Sequence, residues 1–271
     1  MITLRDVKFT YMPANVTAIK GVSLTISKGE IVGVIGQNGS GKTTLVKLIN
    51  GLLRPTSGSV QVLGEDIYNK SVAQIARIIG YVYQNPDDQI FSSSILEEVS
   101  FGPRNLGYSK AETKKLVDES LKKVRLWAKR GMHPYDVGYN RRKLVTIASV
   151  IAMNPQVVIF DEPTTGQDAE GKVIVGELIS DLRKQGKSVI IVSHDMEFIG
   201  ENTDRVIVMN EGKVVMDDST GKVFSKPALL HKLSLSPPQI TRLCQQVKQL
   251  PDDLLTIDDC VKSIRRLIKR A

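Results

Sequence analysis

The segment Gly36-Gln37-Asn38-Gly39-Ser40-Gly41-Lys42-Thr43 matches G-x-x-x-x-G-K-[ST] in full and continues into Thr44. Glycines let a backbone curl until successive N–H groups point inward at phosphate oxygens. A helix opening near Lys42 aims its positive end at the same charge. Lys42 sets a cation against the β- and γ-phosphates of a nucleotide, and Thr43 offers a hydroxyl to Mg²⁺. The expected ATP contacts are therefore Gly36, Asn38, Gly39, Ser40, Gly41, Lys42, Thr43 and Thr44.

Two further strand ends carry chemistry. The apolar run Val157–Phe160 stops at Asp161-Glu162. A buried strand delivers Asp161 to its C-terminal end, where it holds Mg²⁺ through water. Glu162, one residue on, is placed to polarise the water that attacks the γ-phosphate. A second run, Ser188–Ser193, stops at His194, and open α/β sheets gather their sites at such ends. His194 reads as a sensor that hydrogen-bonds the γ-phosphate and the attacking water. His133 and His231 lack that placement and read as surface residues.

These groups need elements to hold them. Alternating apolar residues predict strands at Ile2–Thr10 and Val16–Ser27, and a buried strand at Ile31–Ile35 leads into the loop. Leu45, Leu48, Ile49 and Leu52 recur at helical spacing over 42–53. Pro55–Gly58 breaks the chain before a strand at Ser59–Leu63. The stretch 110–153 reads as helical, with an interruption at 131–140. A helix near Ala169–Lys184 joins the runs at 157–160 and 188–192, which implies a right-handed crossover and a parallel sheet. A hairpin follows at Arg205–Met209 and Lys213–Met216. Beyond Ser225, Pro227, Pro237, Pro238 and Pro251 punctuate short helical pieces.

Composition agrees with a globular chain. Of 271 residues, 41% are hydrophobic and 24% charged, as in ordinary soluble domains. No apolar run approaches the ~20 residues a membrane-spanning helix needs. The opening residues meet the Arg5-Asp6 charge pair too early for a signal peptide. Cys244 and Cys260 lie in no metal-binding spacing and read as packing residues. The net charge of +8 attracts nucleotides, nucleic acid and anionic membranes alike. No zinc-finger or RNA-stacking pattern accompanies it, so no nucleic-acid partner is expected.

In order and spacing, these pieces resemble the ATPase subunits of ABC transporters over residues 1–225. The resemblance implies an α/β P-loop NTPase fold. Its parts would be a mixed-sheet core, an N-terminal antiparallel β subdomain, a helical signature subdomain at about 85–153 and a helical dimerisation appendage at 226–271. It also implies roles. Tyr11 is matched to the aromatic that stacks on adenine. Gln84, in Tyr83-Gln84-Asn85-Pro86, looks like the Q-loop glutamine that touches Mg²⁺ and water and reports nucleotide state to the membrane partner. Asp161 and Glu162 match the Walker B pair, Gly166-Gln167-Asp168 the D-loop with Asp168 as its dimer-contacting acid, and His194 the switch histidine. The catalytic set is then Glu162, His194 and Gln84, and the metal set Thr43, Gln84 and Asp161.

A narrower resemblance, to the ATPases of energy-coupling factor (ECF) importers, rests on Asn85–Phe91, Glu97–Pro103, Ser236-Pro237-Pro238 and Leu255-Thr256-Ile257. It implies import of a vitamin or transition-metal ion, at the cytoplasmic face of the cell membrane. The implied partners are a transmembrane coupling protein, whose basic residues would meet Asp87 and Asp88, and a membrane substrate-binding protein. The alternatives are an ATPase of another ABC transporter family or a soluble ABC protein acting on ribosomes or DNA. The last would carry a second ATPase domain or a long coiled-coil insertion, and this chain has neither.

One departure matters. The family signature, Leu-Ser-Gly-Gly-Gln, aligns with Val137-Gly138-Tyr139-Asn140-Arg141. The serine hydroxyl is missing, and Tyr139 and Asn140 replace the glycines that let backbone approach a γ-phosphate. In this family two ATPase chains meet head to tail, each signature closing on its partner's ATP. The expected partner is therefore a second ATPase subunit with an intact signature, giving a heterodimer. At the C-terminus, Ile257, Val261, Ile264, Leu267 and Ile268 form an apolar helical stripe beside Lys262, Arg265, Arg266 and Lys269. Packing of that stripe on the partner or on its own domain is expected, ahead of contact with a membrane surface.

Overall fold

The computed structural model describes residues 1–268. β1 (Ile2–Tyr11) and β2 (Val16–Ile26) pair antiparallel, and β3 (Ile31–Gly36) runs into α1 (Lys42–Ile49). β4 (Ser57–Val62) and β5 (Glu65–Asp66) complete a four-stranded antiparallel sheet of order β2-β1-β4-β5. After α2 (Val72–Ala76), β6 (Ile79–Val82) leads to α3 (Ile95–Asn105), α4 (Lys110–Lys123) and α5 (Tyr139–Ala152). Then come β7 (Val157–Asp161), α6 (Ala169–Lys184), β8 (Ser188–Val192), α7 (Met196–Asn202), β9 (Arg205–Asn210) and β10 (Lys213–Ser219). The second sheet has the order β10-β9-β3-β8-β7-β6 and is parallel except for β10. α8 (Thr220–Phe224), α9 (Pro227–Lys232), α10 (Gln239–Gln245) and α11 (Ile257–Ile268) close the described chain.

The central strands are apolar throughout because both faces of this sheet are covered. Ile31 and Ile35 of β3 enter the core shared with α5 and α6, while Val32 and Val34 enter the core shared with α1 and the antiparallel sheet. β7 and β8 split the same way: Val158, Phe160, Val189 and Ile191 face one core, Val157, Ile159, Ile190 and Val192 the other. The sheet is thus the middle layer, and its C-terminal edge is where loops gather.

α6 and β8 occupy the spans their sequence patterns predict. α6 is fixed at both ends, since Asp168 Oδ1 accepts from Gly171 N at 2.7 Å and Arg183 and Lys184 lie in the last turn. α1 stops at Ile49 rather than Leu53, because Gly51 adopts a left-handed φ of 77° just beyond it. The interruption expected at 131–140 instead covers 124–138, and Tyr139 and Asn140 open α5. β6 and α3 are not evident from pattern. β6 is only four residues long, and α3 contains Gly102 and Pro103.

The segment after Ser225 shares the main core. Leu230 and Leu235 are buried in it, and Gln37 Nε2 donates to Leu233 O at 2.8 Å. Cys244 and Cys260 are free packing residues, as expected. Both are buried, and their sulfurs lie 3.1 Å apart, joining α10 to α11. Most of the apolar stripe of α11 is exposed, Ile257 at 68% and Ile268 at 71%, and Leu267 is half-buried. Lys269 lies outside the described residues.

Candidate functional site

β3 delivers the phosphate loop at its C-terminal end. Two of its glycines have no room for a side chain: a Cβ on Gly36 would meet Met209 O at 2.3 Å, and one on Gly41 would meet Ala18 O at 2.7 Å. A Cβ on Gly39 would meet nothing within 4 Å, so the apex of the loop faces open space. Lys42 Nζ donates to the carbonyls of Gly36 and Gln37 at 2.8 and 2.9 Å, which fixes the ammonium across the loop. Burial pulls its pKa down, against the opposing pull of Glu162 and Asp161.

A cleft of about 520 Å³ opens above the loop, lined by Asn38, Gly39, Gly41, Lys42, Thr43 and Thr44. Tyr11, Gln84, Glu162 and His194 line the same cleft, so four distant parts of the chain converge on it. Gly36, Ser40 and Asp161 lie beneath its surface, and Ser40 Oγ is buried without a hydrogen-bond partner. Tyr11, 39% exposed, touches the loop through its hydroxyl, 3.0 Å from Thr44 Oγ1, with its ring set edge-on to Phe9.

Asp161 is almost wholly buried at the end of β7. Its Oδ1 accepts from Thr43 Oγ1 at 3.4 Å and its Oδ2 from Tyr81 OH at 2.7 Å. Burial and the neighbouring carboxylate push the Tyr81 phenol far above its usual range, so it remains a donor. The hydroxyl of Thr43, the carboxylate of Asp161 and the amide of Gln84 are hard oxygen donors of the kind Mg²⁺ takes. Among the described residues no group of three or more His, Cys, Asp or Glu is arranged to hold a metal ion by itself.

Glu162 follows in a left-handed conformation, φ 50°, with its N–H bonded to Val192 O at 2.8 Å. This turn directs the carboxylate back over the sheet edge. Oε2 accepts from His194 N at 3.3 Å, and Oε1 lies 3.3 Å from His194 Nε2, too poorly aligned for a hydrogen bond. Burial raises the Glu162 pKa, and burial followed by the charge of Lys42 lowers that of His194. The two shifts together favour a neutral imidazole beside a carboxylate of enhanced basicity.

Three contributors were not found from sequence. Tyr81, on the neighbouring strand β6, orients Asp161. Lys143, fully buried on α5, donates from Nζ to Tyr83 O and Gln84 O at 2.6 Å each and to Asp161 O at 3.3 Å. It therefore joins the Q-loop backbone to the end of β7, and burial pushes its pKa down to about 8. The one sequence signal was a lysine on the apolar face of α5, next to Leu144. Arg142 is the third. Its NH1 lies 3.2 Å from Asp87 Oδ1, so Asp87 is already ion-paired within its own chain.

The residues aligned with the signature are tied to the loop before α6. The Tyr139 ring covers Gly166, where an added Cβ would come within 2.6 Å of it. Asn140 Nδ2 donates to Asp168 Oδ2 at 2.9 Å, Gln167 Nε2 to Asn140 O at 2.9 Å, and Arg141 NH2 to Glu170 Oε2 at 3.2 Å.

Comparison with known proteins agrees with this geometry. The ABC transporter family profile matches residues 19–165, more than half of the chain. The energy-coupling factor transporter ATP-binding protein EcfA of Methanocaldococcus jannaschii is 38% identical over 247 residues, covering 90% of this chain and 88% of that protein. A putative ABC transporter ATP-binding protein of Methanosarcina acetivorans is 41% identical over 89% of this chain, which spans only 40% of that longer relative. Among solved structures, cbiO1 of Clostridium perfringens, part of the ABC transporter complex cbiONQ, superposes with a TM-score of 0.76 at 32% identity, covering 90% of this chain and 98% of that one. The chain belongs to the ABC transporter family, in its class of ATP-binding, ATP-hydrolysing subunits.

Proposed function

We propose that this chain is an ATPase subunit of an energy-coupling factor importer and works as one half of a heterodimer. Its phosphate loop and Lys42 hold the triphosphate, and Tyr11 stacks on the adenine. Glu162 takes a proton from the attacking water, His194 hydrogen-bonds the γ-phosphate, and Gln84 contacts the same water. Mg²⁺, held by Thr43, Gln84 and Asp161, supplies charge neutralisation at the phosphates when bound.

The name of the Methanocaldococcus relative and the cbiONQ complex of the Clostridium structure support the ECF assignment. So does an apolar groove beside the Q-loop, where Leu52, Val72, Phe91 and Phe101 stay exposed. Such a groove suits a helix of a transmembrane coupling protein. A separate membrane protein would capture the substrate, a vitamin or a transition-metal ion. The chain then sits as a peripheral subunit at the cytoplasmic face of the cell membrane; no described helix is long and apolar enough to cross a membrane. The exposed stripe of α11 supports reading 226–271 as a dimerisation appendage to the ATPase domain of 1–225, whose signature subdomain covers about 85–153.

One observation carries the heterodimer. A full set of nucleotide-binding groups stands in a chain whose signature positions lack the serine and both glycines and are tied to Gly166–Glu170. Purified alone, the chain should bind ATP and hydrolyse it at least about tenfold more slowly than with a signature-bearing partner ATPase, the scale of losing a charge-stabilising clamp. Transporter-like turnover by the isolated chain would refute the asymmetric pairing. Co-purification of ribosomes rather than integral membrane proteins from detergent extracts would refute the transport role.

A further inference from the structure

A second cavity, of about 740 Å³, lies between α3, α4 and the turn at Trp127–Lys129, and shares no lining residue with the ATP cleft. It is larger than the cleft that serves the phosphate loop. Four cations stand around it, Arg104, Lys110, Lys114 and Arg130, against one wall carboxylate, Asp118. Uncompensated cations around a concavity raise the local concentration of anions. Arg130 is held in place: its NH1 donates to Trp127 O at 3.0 Å and its guanidinium lies 4.1 Å from the Trp127 ring centroid.

The walls are of a different character from the rim. Leu96, Val117 and Trp127 supply apolar surface. Thr113 is a wall residue only 6% exposed, and its hydroxyl is closed off from the cavity. Inorganic phosphate alone would leave most of the volume unfilled. Pockets of this size enclose organic ligands whose bodies meet apolar walls while a few polar groups orient them.

We propose that this cavity binds an organic phosphate, its anionic group held by Arg104, Lys110, Lys114 and Arg130 and its apolar body against Leu96, Val117 and Trp127. A soluble phosphate ester and an anionic phospholipid headgroup present the same chemistry. α3 is a shared wall, with Leu96, Ser100 and Arg104 on this cavity and Glu98, Phe101 and Gly102 on the groove beside the Q-loop. The ligand therefore rests on the helix that also forms that groove.

Trp127 is the only tryptophan of the chain, so its emission reports on this cavity alone. The full chain, with its phosphate loop saturated by a non-hydrolysable ATP analogue, is titrated with inorganic phosphate, phenyl phosphate and vesicles of phosphatidylglycerol or phosphatidylcholine. Calorimetry provides a second readout. A saturable response to phenyl phosphate identifies a soluble ester as the source; a response to phosphatidylglycerol vesicles alone identifies the lipid. In either case the double variant Lys110→Glu/Lys114→Glu, remote from the ATP cleft, should weaken binding about tenfold or more, as loss of charge-assisted contacts does. ATP affinity should be unchanged. No saturable response to either probe, or one that survives the charge reversal, overturns the proposal. Equal affinity for inorganic and phenyl phosphate overturns the apolar half of it.

Discussion

Glu162 is 6% exposed, and its raised pKa ties stability to pH in a defined direction. Between the unfolded and folded pKa values the folded chain holds more protons, so this group's contribution falls as pH rises through that window and its cost is complete above it. Glu162→Gln should therefore raise the melting temperature at neutral pH, and the difference should vanish below the ordinary carboxylate range. The same variant should lose about 10²–10⁴ in hydrolysis while keeping ATP affinity, measured by turnover beside equilibrium binding. In the unsubstituted protein, the acid limb of the rate profile should sit above the range of a free glutamate. Glu162 and Lys42 could be read from sequence because each belongs to a contiguous pattern. Tyr81 could not, since its hydroxyl meets Asp161 across 80 residues of chain and no local rule connects the two.

α5 acts as an element through Lys143, whose ammonium serves three carbonyls from two other segments. Lys143→Met keeps the length of the side chain and leaves those acceptors unpaired, so it should cost about 2–4 kcal/mol in urea unfolding. ATP turnover should fall as well, because Gln84 loses its backbone anchor. α11 has a different standing. Ending the chain after Thr256 removes the exposed stripe together with the buried Cys260, and should weaken association with a partner ATPase while sparing ATP affinity, as analytical ultracentrifugation and a binding titration would report. Ending it after Lys226 is a poorer test, since Leu230 and Leu235 would leave the core. The long regular elements, α6 and β8, follow from periodicity and caps. β6 and α3 do not, because a four-residue strand and a helix bearing Gly102 and Pro103 take their conformation from the layers they pack on.

For the whole molecule, the decisive feature is asymmetry between two faces. The loop face carries the nucleotide groups, while the face at Val137–Arg141 has its side chains bonded to Asp168 and Glu170. The triple variant Gly138→Ser/Tyr139→Gly/Asn140→Gly should release the loop before α6 and rebuild a phosphate clamp. The chain alone should then hydrolyse ATP about tenfold faster or more, with a rate that rises with the square of its concentration when dimers are sparse. No gain in a dimeric, folded variant would show that the replaced signature is not what limits the isolated chain.

The sequence by itself determined the phosphate loop, the acids at the end of β7 and the loss of the signature. Each is a contiguous run whose chemistry depends on backbone curl or on a strand's end. Only the tertiary structure decided that Tyr11, Gln84 and His194 share one cleft with that loop, that Asp87 is already paired with Arg142, and that a buried lysine links the Q-loop to Asp161. These are meetings between distant segments, created by layer packing, and a side chain shows no trace of its partner until the sheet has brought the two together.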